Sequence, residues 1–239
     1  MPYQAVFKRY EIKYMLTLEQ KERVLRAMAP YMELDQYGRT TIRNIYFDTE
    51  NYRLARRSIE RPAYKEKLRI RSYRQARPGS AVFVELKKKY DSVVYKRRIS
   101  LPETQAMDWI QGVRPCGLRT QITEEIQYFI DYYQTLHPVA FLSYEREAYY
   151  ARNGDGFRVT FDDRILCRQE EISLESGVWG TPLQEDGGIL MEIKTSGGIP
   201  LWMAHVLSQE RLYKTSFSKY GTAYQKMIYP HHKGDCLYA

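Results

Sequence analysis

The sequence predicts an α+β protein built on an eight-stranded antiparallel β-barrel flanked by helices. Three observations lead there. Eight runs of residues alternate in side-chain character with a period of two, as strands whose two faces meet different surroundings do. Most of these runs are joined by short turn-forming sequences, which antiparallel neighbours need and parallel ones cannot use. Stretches with apolar residues at helical spacing lie between them, and eight antiparallel strands suffice to close a barrel around side chains or one ligand.

In chain order, residues 5–14 alternate and form the first strand, with Phe7, Arg9, Glu11 and Lys13 on one face. Thr17 and Gln20 make a capping box for a helix that runs to Tyr31 or Met32. A second strand ends at Asp48, where Thr49 is placed to cap a short helix through Arg57. Residues 64–98 hold three strands in succession, joined at Arg77-Pro78-Gly79-Ser80 and at Tyr90-Asp91-Ser92. Pro102 opens a helix that Gly112 ends, and residues 123–137 form another, with Ile126, Phe129, Ile130 and Tyr133 as its apolar stripe.

A long strand from Val139 turns at Asn153-Gly154-Asp155-Gly156 and returns over residues 157–163, the clearest hairpin in the chain. Residues 164–187 are irregular and polar and are expected to form a mobile loop. A last strand covers residues 188–196, a helix follows from Pro200 to Arg211, and a final helix spans 217–229 with Ser218 and Lys219 at its start. No repeat or low-complexity linker divides the chain, so residues 1–239 are expected to form one domain.

A composition of 44% hydrophobic and 28% charged residues is that of a globular rather than a disordered chain. Thirty-seven lysines and arginines against 29 acids leave a charge of +8, which points to an acidic partner: nucleic acid, an anionic membrane or a phosphate compound. Cys116, Cys167 and Cys236 are odd in number and widely spaced, which argues against a disulfide framework or zinc site and for a reducing compartment. His137, His205, His231 and His232 lack metal-ligand spacing. No apolar run approaches the roughly 18 residues of a membrane span and the N-terminus lacks a leader pattern, so a soluble, cytoplasmic protein with no membrane segment is expected.

The alternation also sorts charge. Lys65, Lys67, Arg69 and Arg71 share one face of their strand; Phe83, Glu85, Lys87 and Lys89 share one face of the next, and Lys96 and Arg98 one face of the third, while Leu68, Ile70, Val82, Val84 and Leu86 face the other way. Like charges opposite one another across strands are destabilising, so such a face calls for a reason. A solvated surface is one; a sheet that gathers cations around a polyanion is the other. With charged faces inward, the barrel would hold Arg9, Lys13, Lys65, Lys67, Arg69, Arg71, Lys87, Lys89, Lys96, Arg98, Arg146, Arg158 and Lys194 against Glu11, Glu85, Asp162 and Glu192. A dry core cannot hold that excess, whereas a water-filled tunnel lined for phosphate can.

A phosphate-binding P-loop is absent, because Gly187-Gly188 and Gly197-Gly198 are not followed by the required lysine. Phosphate must then be held by side chains. Phosphoryl transfer asks for charge neutralisation, in-line positioning and usually a divalent ion, and Glu192, on a charged face between apolar flanks, is the leading candidate to hold one.

Several ordered segments carry a resemblance: Arg-Tyr-Glu-Ile-Lys-Tyr at 9–14, Tyr-Phe-Asp-Thr at 46–49, Lys-Leu-Arg-Ile-Arg at 67–71, Val-Glu-Leu-Lys at 84–87, Ser-Tyr-Glu-Arg at 143–146, Met-Glu-Ile-Lys at 191–194 and Ser-Phe-Ser-Lys-Tyr at 216–220. Together they resemble the VTC-type polyphosphate polymerase domain of the triphosphate tunnel metalloenzymes, a CYTH-like superfamily. The resemblance implies an eight-stranded tunnel, transfer of the γ-phosphoryl group of ATP to a polyphosphate chain with release of ADP, and a Mn²⁺ or Mg²⁺ requirement. By the same resemblance, Lys13, Arg69, Arg71, Lys87, Arg146, Arg158 and Lys219 would be catalytic phosphate ligands, with Lys96 and Ser218 also binding phosphate and Glu192 binding metal. Arg97 and Arg98 are alternatives to Lys96 under a register shift. Tyr144 would lie beside them; Arg9, Lys67, Arg98 and Lys194 are added to the substrate-binding set by alternation, and Glu11 to the metal-binding one.

One departure bears on the reaction. Hydrolytic relatives open with E-x-E-x-K, whereas this chain reads Arg9-x-Glu11-x-Lys13, which replaces a metal-ligating carboxylate with a phosphate-binding guanidinium. That favours holding a long anionic chain over activating water. The alternatives are an inorganic triphosphatase or short-chain polyphosphate hydrolase, and a non-catalytic polyphosphate or nucleotide carrier. Nucleic acid is not expected as partner, because many of the 22 tyrosines fall in strands or helix stripes where packing accounts for them.

Overall fold

The computed structural model of the protein describes residues 6–60, 62–91, 93–184 and 187–232. Its strands are β1 (Val6–Leu16), β2 (Met32–Leu34), β3 (Thr40–Asp48), β4 (Tyr64–Ser72), β5 (Ala81–Tyr90), β6 (Val93–Pro102), β7 (His137–Ala151), β8 (Arg158–Arg168), β9 (Thr181–Pro182), β10 (Ile189–Thr195) and β11 (Lys214–Thr215). The helices are α1 (Leu18–Met28), α2 (Arg53–Ile59), α3 (Glu103–Ile110), α4 (Gln121–Tyr133), α5 (Leu201–Gln209), α6 (Lys219–Ala223) and α7 (Tyr229–His232), with a π-helical turn, Tyr224–Ile228, between the last two.

All strands join one antiparallel sheet in the order β2-β7-β3-β4-β5-β6-β1-β10-β8-β9, with β11 beside β1. β7 also pairs with β8, from Phe141↔Arg168 to Tyr150↔Arg158. The α+β class is as expected, but the described residues form a sheet of eleven strands rather than the eight-stranded barrel predicted. The three additions, β2, β9 and β11, are two or three residues long, too short to show an alternation.

Apolar faces of the long strands are buried under helices. Leu68, Ile70, Val82, Val84 and Leu86 are fully buried with Trp109 of α3 and with Ile126 and Phe129 of α4. Tyr14, Leu16, Val159, Phe161, Met191 and Ile193 pack with Val24 and Met28 of α1 and with Met203, Val206 and Leu207 of α5. Burying a side chain of this size contributes about 1.5–3 kcal/mol. Because side chains alternate, covering these faces commits the charged residues to the opposite face of the same sheet.

Local rules account for the boundaries. Thr17 caps α1 as predicted, with reciprocal Thr17–Gln20 hydrogen bonds, but the helix stops at Met28 and Met32 joins β2, paired to Ala151. α4 begins earlier than expected, capped by Thr120. Thr49 does receive the Arg53 amide at 3.1 Å, although α2 starts only after Tyr52. Of residues 164–187, expected as a mobile loop, 185 and 186 lie outside the described residues, and the described part is not a free loop. β8 runs through to Arg168, whose buried guanidinium donates to the carbonyls of Glu170, Glu171, Gly177 and Trp179 and so ties the segment down. No helix among the described residues is long and apolar enough to cross a membrane.

Candidate functional site

Strand register assembles the charged face around four carboxylates. Antiparallel pairing sets Arg69 opposite Glu85 and Glu85 opposite Arg98, with Lys67 opposite Lys87 and Lys87 opposite Lys96 in the next row. Glu85 is fully buried and is the hub of the first group. One of its oxygens accepts from Arg69 Nε and Nη2 at 2.9 and 2.8 Å and stands 3.7 Å from Arg71; the other meets Lys96 at 2.7 Å and Arg98 Nε at 2.7 Å. Tyrosines fix the outer nitrogens: Arg69 donates to Tyr46 at 2.8 Å and Arg71 to Tyr144 at 3.2 Å and to Asn44 at 3.0 Å.

The second group lies where β7, β8, β10 and β1 meet. Arg146, directly opposite Asp162, makes two 2.6 Å hydrogen bonds to its carboxylate. Lys219 reaches the same carboxylate at 2.5 Å. Glu192, paired with Lys13 across β1 and β10, stands among Lys194 at 3.2 Å, Lys13 at 3.4 Å, Lys219 at 3.6 Å and Arg146 at 3.8 Å. Glu11 is taken by Lys87 at 2.5 Å. Ser218 caps α6 by accepting the Gly221 amide at 3.2 Å and also accepts from Lys67 at 2.8 Å. A methyl group on Gly221 would come within 3.1 Å of that serine oxygen.

Burial and crowding set the electrostatics. At Glu85 burial alone would raise the carboxyl, but Arg71, Lys96, Arg69 and Arg98 outweigh it and hold it well below the usual range. Burial is likewise overridden at Glu192, by Lys219, Lys194, Lys13 and Arg146, and at Glu11, which Lys87 brings down to about 2. The ammonium groups go the other way. Burial, then the charges of Lys13, Lys87, Lys65 and Arg69, push Lys67 well below an ordinary lysine. Lys96 and Lys194 are lowered well below theirs chiefly by burial, against the pull of Glu85 and Glu192. Lys219 alone of these is raised, since Asp162 and Glu192 overcome its burial. Such a face gains from any added anion.

Most of the predicted residues therefore come together on one face: Lys13, Lys67, Arg69, Arg71, Lys87, Lys96, Arg98, Tyr144, Arg146, Lys194, Ser218 and Lys219 with Glu11 and Glu192. Arg158 sits at its margin, opposite Lys194, with its guanidinium 4.5 Å from the ring centre of Tyr150. The Arg9 side chain lies outside the described residues. At 96–98, Lys96 and Arg98 both reach Glu85, whereas Arg97 points to the opposite face and binds Glu125 of α4 at 3.0 Å. Lys65 is turned to the Ser58 carbonyl at 3.1 Å. A recess of about 340 Å³ lined by Tyr64, Lys88, Tyr90, Tyr95, Arg97 and Glu125 opens on that opposite face and is separate from the cationic cluster.

Sequence reasoning missed the residues that hold the cluster in place. Asp48 accepts the Leu54 and Ala55 amides of α2 at 2.9 and 2.8 Å and the Tyr220 hydroxyl at 2.6 Å; Tyr220 stacks on Tyr46 at 4.7 Å, which docks α6 on the site. Glu85 and Asp162 were visible as inward acids, but their roles as anchors depend on which cations the register sets beside them.

Among the described residues no three His, Cys, Asp or Glu side chains converge as a metal cage. Glu192, with Glu11 near enough to affect its charge, offers instead the one or two hard carboxylates that Mg²⁺ takes when phosphate oxygens complete its shell. The donor set thus fits a divalent ion bound jointly with a phosphate ligand. Cys116 and Cys167 are buried free thiols, the latter pushed up to about 12 by burial, and fit no reactive role.

A family model for the VTC domain matches residues 8–228. The chain belongs to the VTC domain family. No curated protein matches it by sequence. Among solved structures, this VTC domain is similar to a candidate adenylate cyclase of Bacillus halodurans, at 13% identity and a TM-score of 0.57 over 90% of this chain and 96% of that one. It is also similar to HpAC1 of Hippeastrum, a candidate adenylyl cyclase described as having a dominant triphosphatase activity, at 15% identity and a TM-score of 0.54 over 91% and 95%. At these identities the shared property is the fold.

Proposed function

We propose that this VTC domain is an ATP-dependent polyphosphate polymerase, a single cytoplasmic domain that transfers the γ-phosphoryl group of ATP to the end of an inorganic polyphosphate chain. The long strands are read as a tunnel wall, a reading supported by the pairing of β7 with β3 on one side and β8 on the other. Among the described residues, eleven cations, Lys13, Lys67, Arg69, Arg71, Lys87, Lys96, Arg98, Arg146, Arg158, Lys194 and Lys219, would line it against Glu11, Glu85, Asp162 and Glu192.

The observation that carries the choice of reaction is that every one of those carboxylates is already engaged by cations. A carboxylate whose charged form is held by cations is a poor proton acceptor, which disfavours these four as the base that activates water. A terminal phosphate oxygen of polyphosphate is already ionised and needs none. It would attack the γ-phosphorus of ATP while the bond to the β–γ bridging oxygen breaks and ADP leaves. Catalysis then rests on holding both anions in line and neutralising charge on the transferring group. Arg146 and Lys219, oriented by Asp162, and Lys13 beside Glu192 would take the transferring phosphoryl, and Arg69, Arg71, Lys96 and Arg98, oriented by Glu85, the remaining phosphates. Mn²⁺ or Mg²⁺, held by Glu192 with Glu11 and by phosphate oxygens, would supply further charge neutralisation.

Incubation of the purified protein with ATP and Mn²⁺ or Mg²⁺ should yield acid-labile polyphosphate and ADP. Glu192→Ala and Lys87→Ala should each abolish synthesis while the melting curve shows a folded protein. A carrier would instead bind polyphosphate undiminished in chelator and tolerate Glu192→Ala. The second reading, a triphosphatase, is favoured by the activity described for the Hippeastrum structure and would release orthophosphate, with ADP from ATP or pyrophosphate from triphosphate, and no polyphosphate.

A further inference from the structure

The outer face of β4, β5 and β6 carries a recess that phosphoryl transfer does not use. Alternation turns Lys88 away from its neighbours Lys87 and Lys89, and Arg97 away from Lys96 and Arg98. Antiparallel pairing then sets Tyr64 opposite Tyr90, Lys88 opposite Tyr95, and Arg97 opposite Leu86 in the next row. Together with Glu125 of α4, the three tyrosines and two cations line about 340 Å³, the scale of a small-molecule site. Tyr64 and Tyr90 are 37% and 58% exposed, so the recess is open to solvent.

Two cations face this recess with one carboxylate between them. Glu125 accepts from Arg97 Nε at 3.1 and 3.0 Å and stands 4.0 Å from Lys88. Glu66, opposite Lys88 in register, is committed elsewhere: its oxygens accept the Tyr64 and Tyr133 hydroxyls at 2.6 and 2.8 Å, which also fixes the Tyr64 wall. Arg97 Nη1 is a buried donor that finds no acceptor among the described residues, whereas buried donors are nearly always paired. Tyrosine rings offer little to a bare anion, but a flat ring packs well against them, and an anionic head carried on that ring can bridge a lysine and an arginine. We propose that this recess is a second binding site, separate from the cationic cluster, for a small compound that joins a flat ring to an anionic head. Its ring lies among Tyr64, Tyr90 and Tyr95, and its head meets Lys88 and Arg97.

A carboxylate and a phosphate head share this chemistry, so calorimetric titration of the whole protein uses benzoate and phenyl phosphate as probes. Acetate and inorganic phosphate supply the heads without the ring, and benzamide the ring without the charge. Lys87 and Lys88, adjacent on one strand and facing opposite ways, tell the two faces apart. Lys88 is 4.0 Å from its carboxylate, so Lys88→Ala should melt as wild type does. At least one ring-bearing anion should bind wild type about 10-fold more tightly than its separate halves, and the one that does identifies the head group. Lys88→Ala and Tyr95→Ala should each weaken that probe by about fivefold or more, and Lys87→Ala by less than about twofold. The proposal is overturned if neither ring-bearing anion outbinds its halves. It is equally overturned if Lys87→Ala loses as much as Lys88→Ala, which would put the probe on the cationic face.

Discussion

Glu85 is fully buried yet touches Arg69, Lys96 and Arg98, with Arg71 at 3.7 Å, so its charge is what permits four cations to share one patch. Glu85→Gln keeps the shape and removes that charge, and should cost about 3–5 kcal/mol in urea unfolding, since breaking a buried ion network strands its partners. Added polyphosphate should return part of the loss; no change in stability would mean the arginines are solvated without it. The pH dependence follows from the directions of the shifts. Glu11, Glu85 and Glu192 ionise more readily folded than unfolded, so their contribution is complete above the ordinary carboxylate range and is lost as pH falls below it, toward about 2 for Glu11. Lys67, Lys96 and Lys194 are lowered instead, so their charged forms oppose folding at neutral pH, and that penalty fades as pH rises. A bound polyanion favours their charged forms, so binding should take up protons at pH values where these lowered lysines are partly deprotonated in the free protein. Titration in two buffers of different ionisation enthalpy would detect this uptake. At this scale the sequence showed which residues share a face, because alternation is local; it did not show that Glu85 has four partners, because that needs the register of three strands.

Arg168 does for a segment what Glu85 does for a patch. Its guanidinium gathers four carbonyls from residues 170–179 and packs 3.7 Å from the ring centre of Phe141. Arg168→Ala should therefore open this segment to limited proteolysis while the sheet stays protected; unchanged cleavage would show that other contacts hold it. Composition alone reads the same residues as a loop, since polarity signals exposure and cannot signal a clasp from the end of a neighbouring strand. α6 presents a related case. Ser218 and Lys219 are recognisable as a helix start, and Ser218→Ala should cost about 1 kcal/mol for the lost cap, read by thermal or urea melting. The Asp48–Tyr220 hydrogen bond that docks the helix joins residues 172 positions apart, and no local pattern announces it. The hairpin at 153–156 was legible for the opposite reason, since its turn chemistry is contained in four residues.

Across the whole molecule, apolar strand faces go under helices and charged faces gather on the other side, which is how a chain of charge +8 can be both stable and strongly attractive to polyanions. Attraction of this kind is screened, so polyphosphate affinity should fall steeply as salt rises from about 0.05 to 0.5 M, and a shallow dependence would argue that the cations are satisfied internally. The alternating strands and the sign of the charge were readable from residue order; the additional short strands and the docking of α6 were not, because each is made by pairing between distant segments. The central claim is that these cations hold two anions for phosphoryl transfer rather than for hydrolysis. Phosphorus NMR of the purified protein with ATP and Mg²⁺ tests it most directly: mid-chain polyphosphate resonances growing in step with ADP are the predicted result, and orthophosphate as the sole product besides ADP would contradict it.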